Sequence, residues 1–286
     1  MRSWLIIDSD FMCHRALHTF KELSHNEVLT GVIFGYLRAV EDLVDTFQAH
    51  GVVHCFNYGR NDRYELFPDY KIKRRSKQKE GTDEEVKMWK EFDRQRNLLR
   101  TTYLPMLGYN NVAYEEGKES DDTMAAVVLP EGDHGVLITS DGDLLQCIRP
   151  NIIFFDPQRN KRVTWQSYQK EHGILAKDHW KVLTLAGCAT DEVPGLPGIG
   201  KKTAYKYLRG ELPKHHKTYA TIKSGFKRIL KQNKPLVKLP FPGTAPQHVK
   251  NDEFSIEKWN ELCGDLGMKS LRRKDRGRKK LKRRSV

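Results

Sequence analysis

The sequence predicts an α/β protein with a mostly parallel central sheet and flanking helices. Three short apolar runs have the length and composition of strands: residues 5–7, 52–56 and 136–138. Three stretches with apolar residues at helical spacing separate these runs: residues 31–47, 83–103 and 120–129. Strands that alternate with helices are typical of a sheet built from parallel strands. A further apolar run at 152–155 extends the predicted sheet.

The composition is that of a globular protein whose positive charge is unevenly distributed. The chain has 286 residues, 38% of them hydrophobic, and a net charge of +13. Residues 269–286 hold eleven Lys or Arg and one acid, so this segment alone carries +10. Because such a segment repels itself, we expect a disordered tail that contacts nucleic-acid phosphates. A solubility or targeting tail is the alternative.

The sequence also excludes several classes of protein. It contains no run of roughly 18 apolar residues, so we expect no membrane span. The five cysteines include no C-x-x-C pair, which argues against a disulfide framework or a thiolate zinc site. The apolar run at 4–7 is too short for a signal peptide. We therefore expect a soluble protein of a reducing, intracellular compartment.

A basic cluster precedes the second predicted helix. It contains six basic residues: Lys71, Lys73, Arg74, Arg75, Lys77 and Lys79. Thr82 and Glu85 then have the spacing of a capping box, which marks the start of a helix. Val86, Trp89 and Phe92 follow at helical spacing. The sequence therefore predicts a basic loop that leads into an amphipathic helix, although such a loop alone is more often a solvated surface segment.

Side chains with oxygen ligands follow the predicted strands. Asp8 ends the first run, Asn57 follows the second, and Asp141 and Asp143 come after the third. The carboxyl ends of parallel strands meet at one edge of a sheet, where ligand sites form. Three more acids begin the third predicted helix: Glu119, Asp121 and Asp122. Acids at this position can simply cap a helix. Crowded carboxylates, however, repel one another and favour hard cations such as Mg²⁺ or Mn²⁺.

A glycine- and proline-rich string, P-G-L-P-G-I-G-K-K-T-A at residues 194–204, lies between two helical patterns. It brings backbone N–H groups, a helix N-terminus, Lys201 and Lys202 to one place, and this combination binds phosphate without reading bases. An ordinary helix–helix turn is the alternative, and the length of the motif argues against it. Together with the acidic edge, the string indicates a metal-dependent phosphodiesterase that acts on nucleic acid.

These motifs make the sequence resemble the 5′-nuclease superfamily of flap endonucleases and 5′-3′ exonucleases. The resemblance runs from residue 6 to about residue 208. Its motifs occur in the family's order: I-D at 7–8, F-N at 56–57, Y-K-I-K-R at 70–74, E-S-D-D at 119–122, S-D-G-D at 140–143 and the segment 191–204. The resemblance implies a PIN-like nuclease core, a helical arch and a helix-three-turn-helix motif that grips duplex DNA.

The resemblance also implies roles for particular residues. The ligands of a first divalent ion, Mg²⁺ or Mn²⁺, would be Asp8, Glu119, Asp121 and Asp122. The ligands of a second ion would be Asp141, Asp143 and Asp191. Lys71 and Arg74 would be the catalytic cations near the scissile phosphate. The DNA contacts would be Tyr70, Lys73, Arg75, Gly198, Gly200, Lys201, Lys202 and Thr203, with a K⁺ ion bound by the same loop.

Two positions depart from the family pattern. Asn57 stands where the family has an acid, although its carbonyl oxygen still suits a hard cation. Cys188 stands where the G-D-x-x-D motif has its first acid, and a thiol is a poor ligand for Mg²⁺. Two ions are therefore expected, with a weakened second site.

We predict three segments from these features. Residues 1–175 form the α/β nuclease core, within which 71–105 form the arch. Residues 176–268 form a helical helix-three-turn-helix domain that binds DNA, and residues 269–286 form the basic tail.

The predicted function is a structure-specific 5′ nuclease that hydrolyses DNA at 5′ ends or flap junctions, in replication, primer removal or repair. Its partners would be 5′ flaps, nicks and single-strand/duplex junctions, with an RNA primer in an RNA–DNA hybrid as a further substrate. One alternative is a catalytically weakened protein that binds branched DNA on the same scaffold, and another is a small RNase. We expect a monomer in the cytoplasm of a bacterial or phage-infected cell.

Overall fold

The fold is built around one central sheet. The computed structural model describes residues 1–79 and 81–273. Its strands are β1 (Ser3–Asp8), β2 (Ser24–His25), β3 (Val28–Leu29), β4 (Gly51–Cys55), β5 (Val112–Ala113), β6 (Val127–Val128), β7 (His134–Ile138), β8 (Ile152–Asp156), β9 (Lys161–Val163), β10 (Gly187–Cys188), β11 (Val193–Pro194) and β12 (Gln247–His248). Six of them form the sheet in the order β5-β4-β1-β7-β8-β9. All neighbours are parallel except β8 and β9. The predicted α/β fold class is therefore confirmed.

Helices cover both faces of this sheet and continue beyond it. They are α1 (Ser9–Phe20), α2 (Gly31–Phe47), α3 (Arg63–Leu66), α4 (Ile72–Lys79), α5 (Asp83–Leu98), α6 (Leu104–Leu107), α7 (Ser120–Ala125), α8 (Trp165–His172), α9 (His179–Ala186), α10 (Lys201–Leu208), α11 (Lys217–Val237) and α12 (Ile256–Asp265). Among these described helices, none has the length and apolar character needed to cross a membrane.

The predicted helices are mostly found where the sequence placed them. The helix predicted over 31–47 is α2, and the capping box of Thr82 and Glu85 starts α5 as expected. The pattern over 83–103 forms α5 and then a π-helix, Leu99–Tyr103, which leads into α6. The helix predicted over 120–129 is too long. It ends at Ala125 because the next residues, β6, pair with β12 from the C-terminal part of the chain.

The central strand β1 is buried on both faces, which explains its continuous apolar sequence. Leu5 and Ile7 face a core that α1, α2 and α5 share with α12. Trp4 and Ile6 face the opposite core, to which α7 and α8 contribute. Because β1 is fixed by packing on both sides, the residue that ends it, Asp8, is held at a fixed place on the sheet edge.

A separate helical core forms from α9, α10 and α11. The apolar residues that meet there are Val182, Leu185, Leu196, Ile199, Ala204, Ile222 and Ile229. Leu196 and Ile199 come from the glycine- and proline-rich string, so the string is held by its own apolar residues. Asn233 of α11 also donates hydrogen bonds to the carbonyl oxygens of Thr184, at 3.1 Å, and Pro194, at 2.7 Å. The predicted helix–loop–helix is thus a packed unit.

After α11 the chain returns to the sheet. Trp259, Leu262 and Cys263 of α12 pack in the core beneath α1 and α2. Within 176–268, which we predicted as one helical domain, the last helix therefore packs on the α/β core; where separate domains begin and end stays a prediction. The predicted disordered tail begins too early at 269, because Lys269–Leu271 form a 3₁₀ turn and the Trp259 indole donates to the carbonyl oxygen of Leu271 at 2.7 Å. Residues 274–286 of that tail lie outside the described residues.

Candidate metal centre

The carboxyl ends of the central strands open into a cleft, as the parallel sheet predicts. A cavity of about 380 Å³ at this edge is lined by Asp8, Asn57, Glu119, Asp121 and Asp141, among others. A larger adjoining cavity of about 490 Å³ extends from Asn57 and Glu119 towards α4 and α5. Four of the predicted acids, Asp8, Glu119, Asp121 and Asp141, therefore meet at one place, and the predicted arch helices line the space above them.

Asp8 is buried at the floor of this cleft. Its carboxylate accepts hydrogen bonds from the Ser120 and Thr139 hydroxyls and from the backbone N–H of Phe11, each at 3.1 Å. Burial and the nearby charge of Asp10 raise the pKa of Asp8 to about 7, although hydrogen bonds from Phe11 and Thr139 act in the opposite direction. A carboxylate in this position needs a cation to remain charged at neutral pH.

Asp121 and Asp141 add further negative charge beside Asp8. Burial and the charges of Asp141, Asp8 and Glu119 raise the pKa of Asp121 well above its usual range. Asp141 is exposed and caps the 3₁₀ segment Gly142–Cys147 by accepting the backbone N–H of Asp143 at 2.8 Å. These carboxylates repel one another without a compensating cation of their own.

Glu119 differs because it is neutralised within the protein. Its carboxylate accepts hydrogen bonds from Lys71 Nζ at 2.6 Å and from the Tyr70 hydroxyl at 2.9 Å, and Arg63 lies at 3.4 Å. Burial would raise the pKa of Glu119, but the charges of Lys71 and Arg63 outweigh it and lower this pKa to about 2. Lys71 Nζ also lies 3.6 Å from Asp191 Oδ1, so one ammonium group spans both halves of the acidic cluster.

Asp143 and Asp191 form the second half of the acidic cluster, and the Cys188 thiol lies beside them and completes this group. Ligand atoms of Asp143, Cys188 and Asp191 lie within 4.8 Å of one another. Burial and the charges of Asp141 and Asp191 raise the pKa of Asp143 to about 7. Burial and the neighbouring acids raise the pKa of Cys188 to about 12, so the group is a neutral thiol in the metal-free protein.

The donor set fits divalent cations, and its two halves fit them unequally. Asp8, Asp121 and Asp141 offer carboxylate oxygens whose mutual repulsion a hard cation would relieve. Asp143 and Asp191 offer two more, but Cys188 replaces an oxygen by sulfur. The residues therefore suit a first hard cation well and a second one less well.

Asp122, predicted as a ligand of the first ion, points elsewhere. It is fully buried, and its carboxylate receives both guanidinium nitrogens of Arg63, at 2.6 and 2.8 Å. It also accepts the backbone N–H groups of Glu119, at 3.1 Å, and Phe241, at 2.7 Å. With these four hydrogen bonds Asp122 is a structural partner of Arg63, and this part of the ligand prediction needs correction.

Asn57 lies in the cleft, and both its backbone N–H and its side-chain oxygen form hydrogen bonds within the protein. Its side-chain oxygen accepts the backbone N–H of Ser120 at 2.7 Å and so helps to start α7. Its own N–H donates to Asp10 at 2.6 Å. Asp10 is buried and pairs with Arg96 of α5 at 2.6 Å. The sequence analysis missed this pair, although the run Asp8-Ser9-Asp10 carried a signal for a second acid at the edge.

The basic residues of the predicted arch divide into two groups. Lys71 and Arg74 line the cleft, as the catalytic prediction requires. Lys73 is exposed, with its ammonium 3.9 Å from Glu192. The predicted DNA contact of Tyr70 needs correction, whereas that of Arg75, which lines the larger cavity, stays a prediction. Tyr70 is buried and holds Glu119, and Arg75 lies over the ring of Tyr64, 4.3 Å from its centroid.

The predicted phosphate-binding loop is accessible. Gly200, Lys201 and Lys202 are exposed and Thr203 is partly exposed at the start of α10. Gly198 has a φ of +72°, a left-handed conformation that favours glycine in this turn. The loop can therefore present backbone N–H groups and two ammonium groups to solvent, and the K⁺ ion stays a prediction.

A parallel sheet with crowded acids at its carboxyl edge, below basic helices, defines a metal-dependent nuclease of the α/β class. The chain belongs to the family described as 5′-3′ exonuclease, N-terminal resolvase-like domain, whose sequence model matches residues 3–174. The resemblance to the 5′-nuclease superfamily is therefore confirmed, and with it the class of enzyme at the level of the family.

Individual relatives agree with this assignment. A 5′-3′ exonuclease of Bacillus subtilis is 31% identical over 202 residues, which cover 68% of this chain and 64% of that protein. A 5′-3′ exonuclease of Buchnera aphidicola is 24% identical over 91% of this chain and 82% of its own length. A solved structure of the bacteriophage T5 flap endonuclease, in a complex with DNA and metal ions, superposes with a TM-score of 0.67 at 20% identity. It covers 94% of this chain and 96% of that one, and so supports the fold.

Proposed function

We propose that this protein is a structure-specific 5′ nuclease that uses divalent cations to hydrolyse DNA phosphodiesters at 5′ ends or flap junctions. The observation that carries the proposal is the crowding of Asp8, Asp121 and Asp141 in a cleft that Lys71 and Arg74 also line, with Asp143 next to it beside Asp191. In a structural ion-pair network, Lys or Arg side chains neutralise the acids. Within the part of the chain that the structure describes, Asp8, Asp121 and Asp141 have no such partners, so external cations would have to balance their charge.

Each residue has a distinct part in this proposal. Asp8, Asp121 and Asp141 would hold a first Mg²⁺ or Mn²⁺, and Asp143 and Asp191 would hold a weaker second one. When bound, such ions supply the Lewis-acid activation of water and of the leaving oxygen. Lys71, held by Glu119, places an ammonium group in the cleft before substrate arrives, where it can neutralise charge that develops on the phosphoryl oxygens. Arg74 adds a second positive charge to the same cleft.

The exposed loop before α10 would hold the duplex part of the substrate. Its backbone N–H groups, Lys201 and Lys202 suit phosphates of any sequence. We also propose that this loop binds the K⁺ ion that the family resemblance implies. A junction between duplex and single strand would then lie between this loop and the cleft. We place the protein, as a monomer, in the cytoplasm of a bacterial or phage-infected cell, in replication, primer removal or repair.

The test is cleavage of a 5′-flap DNA duplex by the full chain with Mg²⁺ or Mn²⁺, compared with the same reaction in EDTA. We expect a product cut near the junction, with a 5′-phosphate and a 3′-hydroxyl, and no product in EDTA. A single-stranded RNA and a duplex with an RNA 5′ segment are run in parallel. Inactivity on every DNA substrate with both metals would refute the proposal, and cleavage of RNA alone would favour the small RNase.

Cys188 favours one second candidate, a branched-DNA-binding protein with weakened catalysis. A thiol in the place of an acid lowers the affinity of the second site for hard cations. This candidate predicts tight binding of the flap substrate without turnover. The same substrate therefore separates the two functions when binding and cleavage are measured together.

A further inference from the structure

Two tyrosines and an arginine form an exposed cluster beside the cleft. Tyr58 follows β4, Tyr114 follows β5, and Arg100 belongs to the π-helix Leu99–Tyr103. The guanidinium carbon of Arg100 lies 4.5 Å from the ring centroid of Tyr58 and 4.7 Å from that of Tyr114. The two rings are also in direct edge contact, with centroids 5.3 Å apart and planes at 71°. We call these three residues the tyrosine–arginine cluster.

The exposure of this cluster is unusual for the protein. Tyr58 and Tyr114 are 39% and 41% exposed, and Trp165 is the only other Phe, Tyr or Trp among residues 1–79 and 81–273 that is exposed. Two tyrosines that remain open to solvent while an arginine fixes their positions form a rigid platform. Such platforms bind planar groups, because ring faces and guanidinium groups both stack on them.

The cluster is continuous with the candidate metal centre. Arg100 Nη1 donates to the backbone oxygen of Asn57 at 3.3 Å, and Asn57 lines the cleft. The backbone N–H of Tyr58 donates to the carbonyl oxygen of Lys118 at 3.3 Å, and Lys118 precedes Glu119. A π-helix is rare and occurs often at functional sites, and here it carries the arginine of the cluster.

The position in the fold indicates which part of a substrate would reach the cluster. β4 and β5 lie on one side of the central strand β1, whereas α9, which packs against α10, contacts the segment Gly142–Cys147 that follows β7 on the other side. The exposed loop before α10 suits duplex phosphates, so single-stranded nucleotides would leave the cleft towards β5.

We propose that the tyrosine–arginine cluster is a stacking site for an unpaired nucleobase of the 5′ single strand. The site takes any base, because every base offers a face for stacking and no side chain of the cluster is placed to read base edges. This inference rests on the proposed function, because it assumes a DNA substrate with a single-stranded 5′ part. It assigns to Tyr58 and Tyr114 a role in holding the flap and no role in the hydrolysis itself.

The experiment measures binding without cleavage, in EDTA, for the full chain and a 5′-flap duplex. A set of flaps carries a single abasic nucleotide at each successive position. In the wild type we expect one position at which the abasic site weakens binding about tenfold, the order expected for one stacked base. In Tyr58→Ala and Tyr114→Ala the intact flap should bind about tenfold more weakly, and the abasic site should then cause no further loss.

Three controls keep the result interpretable. Tyr58→Phe and Tyr114→Phe retain the rings and should bind like the wild type. Trp165→Ala removes the other exposed aromatic side chain and should leave flap binding unchanged. Thermal unfolding reports whether a variant is folded, and Tyr58→Leu and Tyr114→Leu, which keep an apolar side chain without a ring, carry the test if an Ala variant is not.

The outcomes separate this inference from the proposed function. If the abasic site weakens flap binding by the same factor in the wild type and in both Ala variants at every position, the stacking site does not exist. The same holds if the Phe variants bind as weakly as the Ala variants. If the wild type cleaves flaps with Mg²⁺ while no coupling is found, only the stacking inference fails. If no DNA is cleaved with either metal, the proposed function fails whatever the binding shows.

Discussion

Adjacent residues in the E-S-D-D motif show two ways of burying an acid. Asp121 faces the cleft beside other acids, and its pKa is raised well above the usual range by burial and by Asp141. Asp122 is fully buried one residue later and is neutralised by both guanidinium nitrogens of Arg63. The two neighbouring aspartates of the motif therefore differ in how their negative charge is balanced. Asp122, with a cation of its own, supports the fold, and Asp121, without one, is a proposed ligand of an external cation.

The same division applies to the rest of the sheet edge. Glu119 belongs to the compensated group through Lys71, and Asp10 belongs to it through Arg96. Asp8 and Asp143 belong to the uncompensated group, with a pKa of about 7 each. The comparison predicts that neutral substitutions in the two groups have opposite effects on stability.

The largest effect is expected for Asp121→Asn. Loss of a cleft carboxylate should reduce flap cleavage about a thousandfold, because the cations that stabilise the transition state lose a ligand. The same change should raise the melting temperature of the metal-free protein, because a repelled charge is removed. Cleavage rates and thermal unfolding in EDTA measure the two effects. A variant that lost activity and stability together would place Asp121 with the structural acids.

Asp122→Asn should have the opposite effect on stability. It leaves Arg63 buried beside a neutral group, and breaking a buried pair costs about 3–5 kcal/mol. Chemical unfolding of both variants in EDTA gives the comparison directly. Divalent-cation affinity, measured by calorimetry on the folded fraction, should be close to that of the wild type. A large loss of cation affinity without loss of stability would restore Asp122 as a ligand.

Lys71→Ala tests the residue that connects the two groups. We expect cleavage to slow about a hundredfold, because a preplaced positive charge is lost from the cleft. Flap binding should weaken much less, since many other contacts to the backbone remain. Single-turnover rates and dissociation constants in EDTA separate the two quantities. Lys21→Ala, which changes an exposed lysine outside the cleft and outside the predicted DNA-binding segments, is the matched control. Equal losses in rate and affinity would contradict the catalytic role.

Cys188→Asp should strengthen the weaker half of the cluster. The added carboxylate would lower the Mg²⁺ concentration needed for half-maximal cleavage about tenfold, equivalent to roughly 1.4 kcal/mol of binding free energy. Cys188→Ser keeps the size without the charge and should not produce this shift. If the two variants respond alike to Mg²⁺, charge at this position does not limit the second site.

The smallest effect expected is a pH dependence of stability without metal. Asp8 and Asp143 each have a folded-state pKa raised to about 7, so the folded protein binds more protons than the unfolded chain between about pH 4 and pH 7. The melting temperature of the wild type relative to an Asp143→Asn variant should therefore fall by several degrees as pH rises through this interval. The buried His54 and His179, whose pKa values are lowered to about 3, affect both proteins alike, so the difference isolates the acid. Mg²⁺ should restore stability most strongly above pH 7. A difference in melting temperature in EDTA that stayed constant from pH 5 to pH 8 would contradict the shift of Asp143.

The sequence predicted the sheet and the meeting of the acids, because both follow from local patterns. Asp8 and Asp141 could be placed together since parallel strands deliver their carboxyl ends to one edge. The sequence could not separate Asp121 from Asp122, because that difference depends on Arg63, which is distant along the chain. The partner of Asp10 was hidden in the same way, because Arg96 lies on α5.

The C-terminal part of the chain was the least predictable. The composition of α12 indicates an amphipathic helix, but no pattern shows which surface its apolar face covers. The pairing of β12 with β6 also shortened α7, and two-residue strands leave no recognisable signal in a sequence. Contacts between distant segments thus decided what local patterns left open.

The return of the chain to the sheet has a consequence for how the protein is made. Trp259 and Leu271 fill the same core as the first strand and the first two helices. A ribosome releases those early elements long before residue 271 emerges, so the core beneath α1 and α2 stays open during most of synthesis. We expect a fragment ending at residue 175 to expose this apolar surface and to aggregate, even though it holds the whole of the matched family segment.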